Sequence, residues 1–235
     1  MKLSVIIPAY NEADCLAQTV RDVFEYLEKQ TYQAEVIAVN DGSTDATSKI
    51  LAKLQQDQPA LKTINLSENR GKGCAVKEGV MVAQGEYVLY MDADHATNIR
   101  EIESMWEHID KPKTIVIGSR GLETSKIQKK QPWFRVALGR SSNRLIQWML
   151  LPGISDTQCG FKLFKVADAK NLFADLQTDR WAFDIEILAK AKWEGIRIIE
   201  VPVTWTNSEK SNVKKGDALR TLRELLRIRK LVNKT

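Results

Sequence analysis

The residues best placed to do chemistry are two carboxylates two positions apart. Asp92 and Asp94 lie in "YVLYMDADHATN" (residues 87–98), at the end of an apolar run and just before His95. In an extended segment, residues i and i+2 point to the same side. Both carboxylates can therefore meet one hard cation, or one can hold a metal while the other holds a ribose or a water. Mg²⁺ or Mn²⁺ prefers oxygen ligands and bridges readily to phosphates. A polar strand end that caps the next helix explains the pair equally well when it is read alone. A phosphatase-like D-x-D-x-T nucleophile does not, because Ala96 fills the threonine position and Thr97 comes one residue late. His95, beside a turn, reads first as a polar surface residue and only second as a ligand.

Three other stretches carry chemistry. Asp41 in "VNDGSTD" follows a buried run, where it could accept hydrogen bonds from a base or ribose; an Asx-turn entering a helix would also use it. "NRGKGCA" (residues 69–75) places Gly71 and Gly73 ahead of a helix, where glycines let backbone approach a ligand and the helix N-terminus favours an anion. The spacing is neither G-x-x-x-x-G-K-[ST] nor G-x-G-x-x-G, which argues against a P-loop and against a dinucleotide dehydrogenase. Trp133, Phe134, Trp148 and Met149 are mixed with Arg135, Arg140 and Arg144. Tryptophan favours the headgroup level of a membrane, and arginine favours lipid or substrate phosphate. The tail sets Leu219, Leu222, Leu225, Leu226 and Leu231 on one face, with Arg220, Arg223, Arg227, Arg229 and Lys230 largely elsewhere. That is an interfacial-helix pattern, and packing onto a sheet would produce it as well.

The elements that must position these residues alternate between strand and helix. "LSVIIPAY", "EVIAVNDG", "KTINL", "EYVLYMD" and "TIVIGSR" read as strands. Between them come helical stretches at Asp14–Gln30, "STDATSKILAKLQQ", "GKGCAVKEGVMVAQG" and Ile99–His108. Such alternation implies an α/β fold with a mostly parallel sheet. Ligands sit beyond the carboxyl ends of the strands in such sheets. Here those ends carry Tyr10-Asn11-Glu12, Asp41-Gly42, Asp92-Ala93-Asp94 and Ser119-Arg120. Beyond Arg120 the chain turns basic and aromatic: "LETSKIQKKQ" reads as a polar loop, and "IRIIEVPVTW" as an edge or terminal strand because of its proline. The reading is one domain over residues 1–235, with a switch of character near residue 121.

Composition narrows the partners. The chain has 235 residues and a net charge of +5, with a pI near 9.0, which favours anionic partners. Cys15, Cys74 and Cys159 are odd in number and far apart, so neither a disulfide framework nor a zinc knuckle is expected. No uninterrupted apolar stretch reaches about 18 residues, so no membrane-spanning helix is expected. The aromatics lie in an apolar stripe and no recognition-module signature is present, which argues against nucleic acid.

The order of the motifs resembles a known family. "VIIPAYNE", "VNDGSTD", "NRGKG", "MDAD" and "GSR" resemble a family 2 glycosyltransferase of the GT-A, Rossmann-like type. "SDTQCGFKLF", "RWAFDIEIL" and "EVPVTWT" extend the likeness to polyprenyl-phosphate hexosyltransferases, dolichyl-phosphate β-glucosyltransferases above all. The resemblance covers nearly the whole chain. It implies that Pro8, Tyr10 and Glu12 surround the base and ribose and that Asp41 holds one of them. It further implies that Asp92 and Ala93 contact nucleotide, Asp92 and Asp94 bind Mg²⁺ or Mn²⁺, Arg120 contacts phosphate, and Lys72 neutralises the donor. Asp156 and Asp184 are candidates for a base or for sugar-hydroxyl contacts. Arg140, Arg144, Lys210 and Lys214 are candidates for acceptor phosphate. Two positions depart from the pattern: Ala96 stands where mannose-transferring relatives often have glutamine, and Asn212 near a position where relatives carry lysine.

The expectation is an inverting, metal-dependent hexosyltransferase with a nucleotide-sugar-binding half (1–120) and an acceptor half (121–235). It would move glucose from UDP-glucose to a polyprenyl or dolichyl phosphate, peripherally on the cytosolic face of a membrane, and a separate membrane subunit is a further partner to consider. The rivals are a GDP-mannose-dependent enzyme, a family 2 enzyme with a saccharide hydroxyl as acceptor, and a non-catalytic membrane-binding module.

Overall fold

The computed structural model describes residues 1–128, 133–206 and 217–232, and side chains throughout these except 133–138, 140 and 217–222. Seven strands form one sheet in the order β3-β2-β1-β4-β7-β5-β8. They are β1 (Leu3–Ala9), β2 (Ala34–Asn40), β3 (Leu61–Asn65), β4 (Tyr87–Met91), β5 (Thr114–Ser119), β7 (Phe161–Lys165) and β8 (Arg197–Pro202). A two-stranded patch joins β6 (Lys126–Ile127) to β9 (Thr204–Trp205) in parallel. Every pairing in the large sheet is parallel except those of β7, which runs antiparallel to β4 and β5.

The apolar runs explain why β1 sits centrally. Ile6 packs into the cluster on one face, and Val5 and Ile7 into the cluster on the other. A strand covered on both faces reads as a continuous hydrophobic run rather than an alternating one. One face is covered by α3 (Lys72–Val82), α6 (Val166–Ala174), α7 (Phe183–Trp193) and α8 (Asp217–Val232); the other by α1 (Leu16–Leu27), α2 (Thr47–Asp57) and α4 (Glu103–Ile109). α5 (Trp133–Met149) precedes β7.

Three expectations change. The stretch Ile99–His108 begins with a 3₁₀ turn, Ile99–Ile102, before α4. The "LETSKIQKKQ" loop contains β6. The tail helix turns Leu225 and Ile228 into the core; part of the face read as interfacial is therefore used in packing, and Leu226 stays 48% exposed. β8 is an edge strand, as its proline requires.

The antiparallel β7 matters most for the site. Its direction brings the segment before it, Ser155–Gly160, to the edge where β4 and β5 end. Asp92 N–H donates to the Gly160 carbonyl at 3.0 Å, extending the β4–β7 ladder by one step.

Candidate active site

β4 ends at Met91, and Asp92–Ala96 form a turn rather than continued strand. The simple i, i+2 geometry therefore does not apply. The Asp94 carboxylate accepts from the Ala96 N–H at 3.1 Å, a short Asx-type contact. Asp92 lies across Gly160, where a Cβ would overlap its carboxylate, so "CGF" needs its glycine to seat Asp92. Lys72, at the start of α3, reaches Asp92 with its ammonium 2.5 Å from Oδ1. Burial pulls the Lys72 ammonium down, but Asp92, Asp184 and Asp94 outweigh it and hold its pKa above the ordinary lysine value. Burial, then repulsion from Asp92, pushes the Asp94 carboxyl above the usual range.

This is the electrostatic condition for a divalent ion: two carboxylates crowded at one edge, with one lysine shared between them and Asp184. The donor set is small. Ala96 offers only its backbone, its N–H already given to Asp94. His95 turns away, its Nδ1 3.2 Å from Asp22 on α1. Among the described residues no three His, Cys, Asp or Glu side chains gather as a metal site. Asp92 and Asp94 therefore fit an ion that takes its other oxygens from a diphosphate and water, the usual habit of Mg²⁺.

The donor-side loops hold one another. Asn11, at a positive φ of 56°, accepts from the Thr44 N–H at 2.8 Å and the Asp45 N–H at 3.3 Å. The Glu12 N–H donates to Thr47 Oγ1 at 2.9 Å. "AYNE" and "DGSTD" are thus one unit, with Tyr10 exposed on it, Glu12 partly buried and Pro8 buried in β1 beside Val39. Ala93 is buried, and its carbonyl accepts from Thr19 Oγ1 at 2.8 Å. Asp41 is buried and accepts from the Arg70 N–H (2.8 Å), the Gly71 N–H (2.8 Å) and Asn69 Nδ2 (3.1 Å). Burial still leaves its pKa raised against these donors.

The glycines of "NRGKG" make way for protein rather than for a ligand. A Cβ at Gly71 would overlap the Asp179 carbonyl, and one at Gly73 would crowd Phe183 and the Thr178 carbonyl. The Gly73 and Cys74 N–H groups, at the α3 N-terminus, both donate to the Asp179 carbonyl, at 2.8 and 3.2 Å. Those amides are therefore satisfied within the fold, and the expected anion seat there is not formed. The signal was a glycine pattern that close packing and ligand approach share. A cavity of about 300 Å³ beside this loop is lined by Arg70, Arg180, Arg227 and Asp179 among others, and includes none of Lys72, Asp92 or Asp94.

Arg120 and Asp156 close on each other. Arg120 Nε and Nη2 donate to Asp156 at 2.6 and 2.9 Å, and the Arg120 N–H adds a third bond at 3.0 Å. Burial would raise the Asp156 carboxyl, but Arg120 holds it below the usual range. Such a carboxylate is a weak base, so the geometry places Asp156 as the partner that orients Arg120. The Arg120 guanidinium lies 5.4 Å from the Trp205 ring, and the Thr206 N–H donates to the Ala96 carbonyl at 2.9 Å. "VTWT" thereby links the Arg120 and Asp94 loops. Arg144 is exposed on α5, next to Asn143, whose side chain donates to the Ser155 carbonyl at 2.6 Å. The side chain of Arg140, and Lys210, Asn212 and Lys214 entirely, lie outside the described residues.

Sequence reasoning missed Lys162, only 1% exposed on β7, which donates to Asp184 at 2.6 Å. Tyr90 donates to the same carboxylate oxygen. Asp184 is therefore anchored beneath the site. A lysine inside "GFKLF" reads as solvent-facing, and nothing local reveals its partner.

The Glycosyl transferase family 2 pattern matches residues 4–173. The chain is 37% identical over 240 residues to "Dolichyl-phosphate beta-glucosyltransferase" of Dictyostelium discoideum, covering 97% of this chain and 73% of that one. Two solved structures share its fold. S. aureus TarS 1-349 in complex with UDP gives a TM-score of 0.62 at 21% identity, covering 99% of this chain and 65% of that one. The mannosyltransferase PcManGT of Pyrobaculum calidifontis, in complex with GDP-Man and Mn²⁺, gives 0.59 at 22%, covering 95% and 60%. With the family's motifs gathered on one sheet edge and its pattern matched over most of the chain, the protein belongs to glycosyl transferase family 2.

Proposed function

We propose that this chain transfers glucose from UDP-glucose to dolichyl phosphate or a related polyprenyl phosphate, inverting the anomeric centre. The observation that carries the reading is the surplus of carboxylate at the end of β4, where Asp92 and Asp94 face one close ammonium, Lys72. A nucleoside diphosphate brought there with a divalent ion would satisfy that surplus. The D. discoideum relative's name supports the sugar and the acceptor. The Mn²⁺ in the P. calidifontis structure supports the metal.

In this reading Asp92 and Asp94 hold Mg²⁺ or Mn²⁺, which when bound neutralises charge on the leaving diphosphate. Tyr10, Glu12 and the Asp41-braced loop receive the base and ribose, beside Pro8 and Ala93. Arg120, fixed by Asp156, and Lys72 stabilise the growing negative charge. The acceptor is a phosphate already ionised at neutral pH, so it needs placement rather than a base. That agrees with an Asp156 carboxylate closed on arginine. The acceptor is assigned to the half 121–235, where Arg144 is exposed on α5 and Arg140, Lys210 and Lys214 are the further candidates that the sequence offers for lipid phosphate. Trp148, 79% exposed on α5, suits a peripheral position on the cytosolic face of a membrane. No helix among the described residues is long and apolar enough to cross one.

The test is a donor screen: UDP- and GDP-sugars with a short polyprenyl phosphate and Mn²⁺ or Mg²⁺. Lipid-phosphate glucose from UDP-glucose, lost on chelation, is expected. Turnover only with GDP-mannose would move the reading to a mannosyltransferase. Transfer only to a saccharide hydroxyl would move it to another acceptor class. Absence of nucleotide-sugar binding would make it a non-catalytic membrane module.

A further inference from the structure

The proposed reaction leaves one residue at the site without a task. Trp181 stands in the segment between α6 and α7, and its side chain is 60% exposed. What sets this indole apart from the other exposed tryptophans, Trp148 and Trp193, is its place beside Lys72, with an apolar face open to a ligand. It is not a loosely hung side chain. The carbonyl of Asp179, two residues before it, accepts from both Gly73 and Cys74 N–H groups. Gly71 and Gly73 lack the Cβ atoms that would push Thr178, Asp179 and Phe183 away. The glycine loop thus clamps the backbone that carries Trp181.

The ring also touches the diphosphate machinery. Lys72 Nζ lies 5.5 Å from the Trp181 ring centroid and 2.5 Å from Asp92 Oδ1. One ammonium therefore bridges the indole and the carboxylate assigned to metal and diphosphate. A nucleotide sugar carries its hexose on the distal phosphate. Whatever fixes that phosphate fixes the hexose one bond away, in the neighbourhood of this ring.

We propose that Trp181 is the hexose platform of the donor site, packing its indole against the C–H face of the sugar. The inference rests on the nucleotide-sugar reading above and adds to it a residue that selects among hexoses. Glucose has equatorial ring hydroxyls, so its faces present axial C–H bonds to an aromatic surface. An epimer whose axial hydroxyl falls on the packed face sets a polar group against the ring and leaves it unpaired. Lys72 secures the ring by a cation–π contact and the phosphate by charge.

The test measures binding of UDP-glucose and of UDP, each with Mn²⁺, to the unsubstituted protein, Trp181→Ala and Trp181→Phe. Steady-state KM values for donor and polyprenyl phosphate are measured beside them. Thermal midpoints should stay level, since the indole is mostly in solvent. Trp181→Ala should weaken UDP-glucose about tenfold while leaving UDP within about twofold, and Trp181→Phe should recover most of the loss. An equal loss of UDP would overturn the proposal, because the ring would then act through Lys72 on the diphosphate. So would a rise in KM for the lipid phosphate alone, which would put the ring against isoprene. UDP-glucose failing to bind the unsubstituted protein would instead overturn the donor assignment on which the inference stands.

Discussion

Two cation–carboxylate pairs stand at the ends of β4 and β5, on either side of β7, and they are built differently. Arg120 and Asp156 close on each other with two side-chain bonds and a backbone bond. Lys72 and Asp92 make one contact, and Asp94 remains beside them with its carboxyl pushed up. The first pair is nearly neutral and rigid, and it can aim a guanidinium. The second has charge to spare and is completed by something from outside. The two pairs answer different needs: fixed orientation of a positive group, and capture of a cation with its diphosphate.

The comparison breaks most sharply at Asp94. Asp94→Asn keeps the oxygen that accepts from Ala96 N–H and removes the surplus charge. Divalent-dependent turnover should fall about 10²–10³-fold, the scale of losing one preorganised charge-stabilising group. Asn at position 94 with intact metal-dependent turnover, measured with saturating donor, would show that the surplus is not the metal's seat.

At the closed pair the effect should be smaller and of another kind. Asp156→Asn leaves Arg120 charged but loosely held, and kcat should fall about 10–100-fold, as for a lost orienting partner. A general base would be identified by something else: an acid limb in the wild-type rate profile that disappears in the variant. The pair also predicts a pH dependence of stability. Because Arg120 depresses the Asp156 pKa, the pair's stabilisation is present above the ordinary carboxylate pKa. It is lost as pH falls through the depressed value. Asp156→Asn should flatten that acid limb in thermal unfolding, and an unchanged limb would contradict the pairing.

How far the sequence shows this arrangement depends on whether the informative contact is local. The strand–helix alternation and the acidic strand ends are legible because apolar runs and turn residues act over a few positions. The zipping of "AYNE" to "DGSTD" through Asn11 and Asp45 is not legible, since each motif alone reads as a turn. β7 is not legible in "GFKLF" either, because its antiparallel insertion between β4 and β5 joins residues far apart in the chain. Lys162 and Tyr90 under Asp184 are hidden for the same reason. The tail helix shows a limit of pattern itself, because a stripe of leucines serves a membrane or a core equally.

The glycine loop beside Lys72 offers a third test, aimed at what positions the open pair. If Gly73 exists to admit Phe183 and the Thr178 carbonyl, Gly73→Ala should destabilise the ligand-free protein by about 1–3 kcal/mol, the usual range for overpacking. Chemical denaturation without nucleotide measures this directly. A ligand-approach role would leave the ligand-free stability level and weaken UDP binding only.

The smallest effect separates the two pairs most cleanly, because it has the opposite sign to the largest. Burial and Asp92 raise the Asp94 pKa, so the ionised form is disfavoured in the fold. Without metal, this means full stability below the ordinary carboxylate pKa and a loss as pH rises through the raised value. Asp94→Asn removes that loss. The metal-free variant should therefore melt about 1–2 °C above the wild type at neutral pH and level with it in acid. Excess Mn²⁺ with UDP should reverse the order, since only the wild type gains from binding. Asp156→Asn should show no such gain at neutral pH, because its carboxylate is already compensated within the fold. A metal-free Asp94→Asn protein less stable than wild type at neutral pH would mean that the two pairs differ in geometry alone and that β4 carries no uncompensated charge.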